Sequence, residues 1–281
     1  MALSALPSVP RIPSSHVERP THRVHYLLFI LFLAITQFCQ GQQPQSDPQA
    51  VAFASQAITA LTGGNAVKDV TLTGKVTWSG PLGTESGTAT LLALGTGESR
   101  IDMALPDGIH SQIRDASTGV PLGEWIAPSG AHGLFPPQNC ATDAVWFYPA
   151  LGSLALGPGV VLAYVGQENR NGETVQHIQS YIYQYNPPGL NPSPQQLSTM
   201  DFYLDATTLL PVAIVFNNHP DNNANMNLPL EVDFFNYRPV TGVLVPTHIQ
   251  KLLQGNLTID LSVSGAAFNT GLPLSDFTIS N

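Results

Sequence analysis

Histidines are the residues of this chain best suited to acid–base or metal chemistry, and their spacing does not concentrate them. Five lie beyond residue 41: His110, His132, His177, His219 and His248. No H-x-H or H-E-x-x-H motif brings two of them onto one element, so local spacing predicts no metal site. His132 or His248 could still meet Asp or Ser partners from distant segments, which leaves a hydrolase with a non-contiguous site as an alternative.

Nucleophile and cofactor motifs are missing as well. No G-x-S-x-G sequence places a serine at a strand-to-helix elbow, and no Gly-rich phosphate loop joins a strand to a helix. The one cysteine beyond residue 41 is Cys140, a residue type most often buried as a small apolar side chain. We therefore predict no catalytic residue, no cofactor and no metal.

Asp201 and Asp205 are the closest pair of carboxylates that flanks a predicted strand. At about 3.3 Å per residue the two lie about 13 Å apart, beyond the roughly 5–10 Å at which paired carboxylates share acid–base work. Asp205 opens the sequence Asp-Ala-Thr-Thr and is better explained as a turn former that accepts backbone N–H bonds. Residues 221–225 (DNNAN) lack the glycine and closing glutamate of a calcium loop, and we predict a hairpin tip.

Composition excludes one class of partner. Ten Lys and Arg face nineteen Asp and Glu, a net charge of −9, so nothing attracts a phosphate backbone and no nucleic acid is expected. Gly and Pro, at 24 each, fit many turns between short strands.

The N-terminus has the pattern of a secretory signal peptide. Arg11, Arg19 and Arg23 precede ten apolar residues at 26–35 (YLLFILFLAI), a run shorter than the roughly 20 residues of a membrane span. Cleavage after Gly41 fits the small residues that such a site needs. We predict a signal peptide at 1–41 and a single domain at 42–281, exported and soluble in the periplasm or outside the cell; an N-terminal membrane anchor is the alternative.

The elements that would position a site begin with a helix. Residues 49–61 (QAVAFASQAITAL) place Val51, Ala54, Ile58 and Leu61 on one face, and Gly63–Gly64 follow as a stop. This amphipathic helix is expected to cover one face of a sheet.

Strands follow at short intervals. Val70, Leu72, Val76 and Trp78 alternate with polar residues, and Met103 lies on the apolar side of a second alternating run. Further runs are separated by turn residues, among them Asn-Gly at 171–172, which is typical of a hairpin. The pattern predicts a meander of antiparallel strands.

Residues 115–158 break the alternation. This Gly- and Pro-rich insert contains Trp125 and Trp146, and residues 139–156 could form one or two short helices. Irregular apolar inserts of this kind often cover a concave sheet and commonly carry binding function.

Four stretches resemble the periplasmic lipoprotein-carrier superfamily (LolA/LolB-like proteins). They are YVGQENRNGETVQHI (164–178), DFYLDATTLLPVAIVF (201–216), EVDFFNYRPVTGVLVPTHI (231–249) and FNTGLPLSDF (268–277). These are turn and packing motifs. The resemblance implies a strongly curved, open antiparallel sheet, a half-barrel, with helices and an apolar cavity on its concave side. The carriers use a cavity arginine; Arg100 and Arg114 are candidates by position only.

Together these features predict an α+β protein: an open half-barrel with an N-terminal helix and a short helical insert on the concave side. The expected function is non-enzymatic binding of a lipid or a lipoprotein acyl chain by a monomeric protein of the bacterial cell envelope, with Trp78, Met103, Trp125 and Trp146 as the lipid-binding residues. A second hypothesis is an envelope interaction or sensing domain that has a filled core and binds a protein partner along an edge strand.

Overall fold

The computed structural model describes residues 44–80, 83–142, 157, 159–183 and 192–280. The predicted signal peptide, Trp146 and residues 143–156 of the 139–156 segment expected to form short helices lie outside these ranges. Those predictions are therefore not tested by the fold.

Thirteen strands form one antiparallel, curved and open sheet in the described residues, which confirms the predicted fold class. Across the sheet the order is β6-β5-β4-β3-β2-β1-β13-β12-β11-β10-β9-β8-β7. In chain order the strands are β1 (Asp69–Gly80), β2 (Gly83–Leu94), β3 (Ser99–Leu105), β4 (Gly108–Asp115), β5 (Leu122–Ile126), β6 (His132–Leu134), β7 (Val160–Arg170), β8 (Glu173–Ile182), β9 (Met200–Asp205), β10 (Pro211–Asn218), β11 (Leu228–Val240), β12 (Val243–Leu253) and β13 (Asn256–Phe268).

The strand order gives the chain two meanders that meet in the middle of the sheet. Strands β1–β6 run outward to one edge, and β7–β13 return from the other edge until β13 pairs with β1. The connection between β6 and β7 therefore joins the two edges. The insert predicted as irregular holds β5 and β6 in its first part, because edge strands of three to five residues are too short to show a clear period of two.

Glycines allow neighbouring strands to approach closely where the sheet bends. A Cβ at Gly74 would lie 2.2 Å from the Ser262 carbonyl oxygen, and the β1–β13 register shifts between Thr73 and Gly74. A bulge of this kind increases local twist and curvature. Gly87 of β2 is similar, because a Cβ there would meet the Ala104 carbonyl at 1.9 Å.

The predicted N-terminal helix is α1 (Pro48–Thr62). Asp47 caps it by accepting a hydrogen bond from Gln49 N at 2.7 Å, and Gly63 ends it in the left-handed conformation at φ 60°. The helix packs chiefly against β7, β8 and β12 on the concave face.

The buried face of α1 differs from the predicted one. Ala50, Ala54, Ala57 and Leu61 are buried, whereas Val51 is 37% exposed. The expectation for Val51 was wrong because the helix turns its smallest side chains toward the sheet, which lets the two backbones approach closely.

The core lies between α1 and the concave face and continues across both meanders. It contains one cluster of buried side chains from α1, from β1–β3 and from β7–β13. Its largest fully buried members include Phe216, Met103, Leu91, Ile249 and Leu261. The opposite face of β3 and β4 is covered by a C-terminal 3-10 turn, Leu274–Phe277, whose Phe277 is fully buried.

Local turn chemistry agrees with the sequence. Asp205 Oδ1 accepts hydrogen bonds from Thr207 N at 3.2 Å and from Thr208 N at 2.7 Å, which confirms its role as a turn former and lowers its pKa against the opposing effect of burial. Asn171 and Gly172 have φ values of 52° and 90°, the left-handed conformation of a tight hairpin turn.

Candidate functional site

Trp78, Met103 and Trp125 lie on the same, concave face of the sheet. Met103 is paired with His110, whose ring lies 5.0 Å from the Trp78 ring. Trp125 is paired with Gln112, two residues along β4 from His110. Directly paired side chains of antiparallel strands project on one side, and so do residues two apart in a strand. The structure thus places on one face the three predicted residues that it describes.

The three side chains differ in burial. Met103 is 1% exposed and belongs to the core, Trp78 is half-buried against the same core, and Trp125 is 40% exposed. The Trp125 ring lies over Gly133 of β6, where a Cβ would be 2.9 Å from the ring. Trp146 lies outside the described residues. That these residues bind lipid, and that the face encloses a cavity, stay predictions.

The two candidate arginines lie on opposite faces. Arg100 forms an ion pair with Asp102 at 2.9 Å and donates to the Asp276 carbonyl at 3.2 Å, on the side covered by the C-terminal turn. Arg114 is paired with Ser99 on the concave side and is only 3% exposed. The sequence positions of Arg100 and Arg114 do not show which face each side chain occupies, because the face depends on the pairing register of β3 and β4.

Arg114 holds the start of the insert against the concave face. Its Nε donates to the Cys140 carbonyl at 2.9 Å, and its other guanidinium nitrogens donate to the carbonyls of Ala141 and Gly97. Cys140 is buried, as predicted. The guanidinium therefore fixes the segment that follows the 3-10 turn Pro137–Asn139.

The same segment is held from the other meander. Asn139 and the backbone of His219 form a reciprocal pair: Asn139 Nδ2 donates to the His219 carbonyl at 3.0 Å, and His219 N donates to Asn139 Oδ1 at 2.8 Å. Gln138 Nε2 also donates to the Pro220 carbonyl at 3.0 Å. His219 is buried, and its Nδ1 donates to the Met226 carbonyl at 3.0 Å. Burial lowers the pKa of the His219 imidazole, so the ring stays neutral at physiological pH.

The two histidines of the hydrolase hypothesis each bind a carboxylate. His132 Nδ1 lies 2.8 Å from Glu124, and His248 Nε2 lies 3.2 Å from Asp260. Among the described residues, no serine or threonine hydroxyl is hydrogen-bonded to either imidazole. His132 is paired with Ile126, which in turn is paired with Ser111. His248 is paired with Ser262. These registers place both histidine–carboxylate pairs on the face opposite Trp78.

A second concavity, which the sequence did not reveal, lies at the tip of the β7–β8 hairpin. It has a volume of about 300 Å³ and is bordered by Arg170, Glu173 and Asp233. Arg170 lies 4.2 Å from the centre of the Tyr203 ring and forms an ion pair with Glu231. Burial, followed by the hydrogen bond and negative charge of Glu231, raises the pKa of Asp233 to about 7, and Arg170 opposes that rise.

The described residues contain neither a metal-binding cluster nor a membrane-spanning helix. No cluster of three or more His, Cys, Asp or Glu side chains there could hold a metal ion. Within the same ranges, no helix combines the length and apolar character needed to cross a membrane.

Comparison with known proteins detects similarity in structure but not in sequence. No family model matches this chain, and no curated protein matches it. Among solved structures, a domain from Vibrio parahaemolyticus named for outer-membrane lipoprotein sorting has a TM-score of 0.54 at 13% identity, covering 81% of this chain and 95% of its own. A DUF1329 family protein from Desulfovibrio piger has a TM-score of 0.56 at 10% identity, covering 84% and 98%.

A LolA superfamily protein from Nitrosomonas europaea is similar over the same region. Its TM-score is 0.50 at 13% identity, with 82% of this chain and 97% of that chain covered. This chain therefore has a LolA-like fold, as its turn and packing motifs predicted.

Proposed function

We propose that this protein binds a lipid, or the acyl part of a lipoprotein, against the concave face of β1–β5 and acts without covalent chemistry. The observation that carries the proposal is the row formed by Trp78, Met103 and Trp125, which share that face while α1 packs chiefly on β7, β8 and β12. An exposed tryptophan on a concave apolar surface is a typical contact for a hydrophobic ligand.

The energetics of such a contact favour an acyl chain. Each methylene removed from water contributes about 0.8 kcal/mol, so even a short chain supplies a large apolar gain. Met103, at 1% exposure, belongs to the core beneath this face, so Trp78 and Trp125 supply the accessible apolar contacts. The His–carboxylate pairs lie on the other face, which supports binding rather than hydrolysis as the activity of the concave face.

The proposed site of action is the bacterial cell envelope. The basic and then apolar pattern of residues 1–41 supports export, with a mature chain that begins near Gln42. Mass spectrometry of the protein recovered from the periplasm is expected to show cleavage near Gly41. Recovery of the uncleaved chain in the membrane fraction would instead support the N-terminal anchor.

Native mass spectrometry tests the binding itself. Protein purified from a bacterial periplasm is expected to carry a lipid or acyl adduct, and a single-chain fluorescent acyl ligand is expected to displace it. A clean apo mass at several expression levels, together with no titratable binding of the fluorescent ligand, would contradict the proposal.

An envelope interaction domain is a second candidate, and the edge strand β7 favours it. The lead-in segment hydrogen-bonds β7 at Leu162, through Ser46 Oγ at 3.0 Å and Asp47 N at 2.8 Å, and Val165 farther along this edge is 56% exposed. An exposed edge is a surface on which a partner strand can add. If this candidate is correct, Val165→Arg abolishes binding of a defined protein partner and leaves acyl-ligand binding unchanged.

A further inference from the structure

Glu85 of β2 projects onto the concave face beside Trp78. The two residues are directly paired in the β1–β2 register. Their neighbours Thr77 and Ser86 form the adjacent pair, and the hydroxyls of these two residues lie 3.1 Å apart on the opposite side of the sheet. Because successive side chains of a strand alternate between faces, Glu85 and Trp78 share the concave side.

The Glu85 carboxylate is incompletely satisfied. Its Oε2 is buried and has no hydrogen-bond partner among the described residues. Buried polar atoms in folded proteins are nearly always hydrogen-bonded, because an unpaired acceptor loses its water without compensation. An acceptor of this kind on a proposed binding face is suited to accept a hydrogen bond from a ligand.

Two other polar side chains lie on the same face and at the same end of the sheet as Glu85, near the β1–β2 and β3–β4 turns. The His110 ring, 5.0 Å from the Trp78 ring, is held by Asp107, whose carboxylate oxygens lie 2.9 and 3.0 Å from Nε2. Lys251 is on the same face, because Lys251 and Trp78 are both paired with Ile259. The Lys251 side chain is 6% exposed.

Away from these turns the same face becomes apolar. Leu91 and Ile101 are paired with each other, lie farther along β2 and β3, and are at most 2% exposed. Met103 lies between them and the polar end. The concave face of β1–β4 therefore has a polar end and an apolar interior, which is the polarity of an amphiphile.

We propose that Glu85 accepts a hydrogen bond from the head group of the bound amphiphile, and that the acyl chain lies along the concave face against the accessible rings of Trp78 and Trp125. The inference rests on the proposed function and specifies its ligand. The head group must carry a hydrogen-bond donor, an ammonium or a hydroxyl. A bare carboxylate would leave Oε2 unpaired and add repulsion from Glu85 and Asp107.

Two single-chain phospholipids separate this inference from acyl binding alone. Lysophosphatidylethanolamine and lysophosphatidylcholine with the same acyl chain are both zwitterionic, but only the ethanolamine nitrogen carries N–H donors. In titrations below the micelle concentration, the wild-type protein is expected to bind the ethanolamine lipid about tenfold more tightly, the ratio typical of a hydrogen bond to a charged group.

Variants then assign the preference to one residue. Glu85→Leu is expected to abolish the tenfold ratio while still binding both lipids, and Glu85→Gln, which keeps the shape and a neutral acceptor, is expected to reduce it. Glu173→Gln makes the same charge change at an exposed site on the β7–β8 hairpin and is expected to leave the ratio unchanged. Thermal melting of each variant checks that it is folded.

The outcomes are distinguishable. Equal wild-type affinity for the two lipids, or a preference that survives in Glu85→Leu, would overturn the head-group assignment and leave acyl binding intact. Failure of either lipid to bind the wild-type protein would overturn the proposed function and this inference with it.

Discussion

Trp125 and Phe235 are almost equally exposed, but they lie on opposite faces of the sheet and are therefore expected to have different roles. Trp125 is 40% exposed and shares the concave face with Trp78, whereas Phe235 is 39% exposed and lies on the opposite face, where its ring is 5.2 Å from that of His248. Only the first is placed to contact a ligand in the half-barrel.

Trp125→Ala is therefore expected to weaken acyl-ligand binding about tenfold, because truncation removes a large apolar contact surface from the site. Phe235→Ala is the matched control and is expected to leave affinity unchanged. Fluorescent acyl-ligand titration measures both variants. Equal losses of affinity in the two variants would show that the concave face is not the binding surface.

Asp233 gives the protein a stability that depends on pH. Its pKa in the folded chain, about 7, is above the ordinary value of 3.8, so the folded protein retains a proton that the unfolded chain releases. Stability is therefore highest below about pH 4 for this group and falls as pH rises through about 7.

Asp233→Asn is expected to remove that loss, because the amide keeps a hydrogen-bond donor toward Glu231 and cannot ionise. The difference in melting temperature between variant and wild type should be larger at pH 8 than at pH 4, with the variant the more stable at pH 8. Thermal denaturation followed by circular dichroism measures it. An identical difference at both pH values would mean that Asp233 does not titrate in this range.

At the scale of elements, the alanine face of α1 determines how closely the helix approaches the sheet. Ala50, Ala54 and Ala57 are at most 6% exposed and pack into the main core with the aromatic side chains of β9–β11. Alanine also has the highest intrinsic helix propensity, so this face supports both the helix and its close packing.

Ala54→Leu is expected to destabilise the protein by about 1–3 kcal/mol, because extra methylenes at this buried helix–sheet contact force neighbouring side chains out of their rotamers. Val51→Leu, on the exposed side of the same helix, is the control and is expected to change stability by no more than about 0.5 kcal/mol. Urea unfolding measures both. A neutral Ala54→Leu would instead indicate open space beneath the helix.

At the scale of the whole molecule, the connection between β6 and β7 ties the two meanders together. Arg114 of β4 binds it from one side, and the backbone of His219, which follows β10, binds it from the other. This connection is separate from the β1–β13 pairing, which joins the two meanders in the middle of the open sheet.

Asn139→Ala is expected to loosen this link, because it leaves the buried N–H and C=O of His219 without their partner at a cost of about 1–3 kcal/mol. Faster proteolytic cleavage between residues 135 and 142 is the expected result. Asn223→Ala changes the same residue type in an exposed turn and serves as the control. Unchanged protection of this segment would show that other contacts hold it.

Features that depend on near neighbours along the chain could be predicted from the amino-acid sequence. The Asp205 turn, the left-handed Asn171–Gly172 pair and the Gly63 helix end follow from local hydrogen bonding and steric freedom. A shared face for Trp78 and Met103 could also be predicted, because alternation specifies which side of a strand is apolar.

Features that depend on residues far apart in sequence could be established only from the folded chain. The pairing of β1 with β13, the placement of β6 and β7 at the two edges and the burial of Ala50 in place of Val51 result from packing between distant segments. The same holds for Arg114, whose register distinguishes it from Arg100, and for Glu85, whose Oε2 is buried with no hydrogen-bond partner among the described residues. Hydrophobic periodicity reports which side of an element is buried, but it carries no information about the partner that buries it.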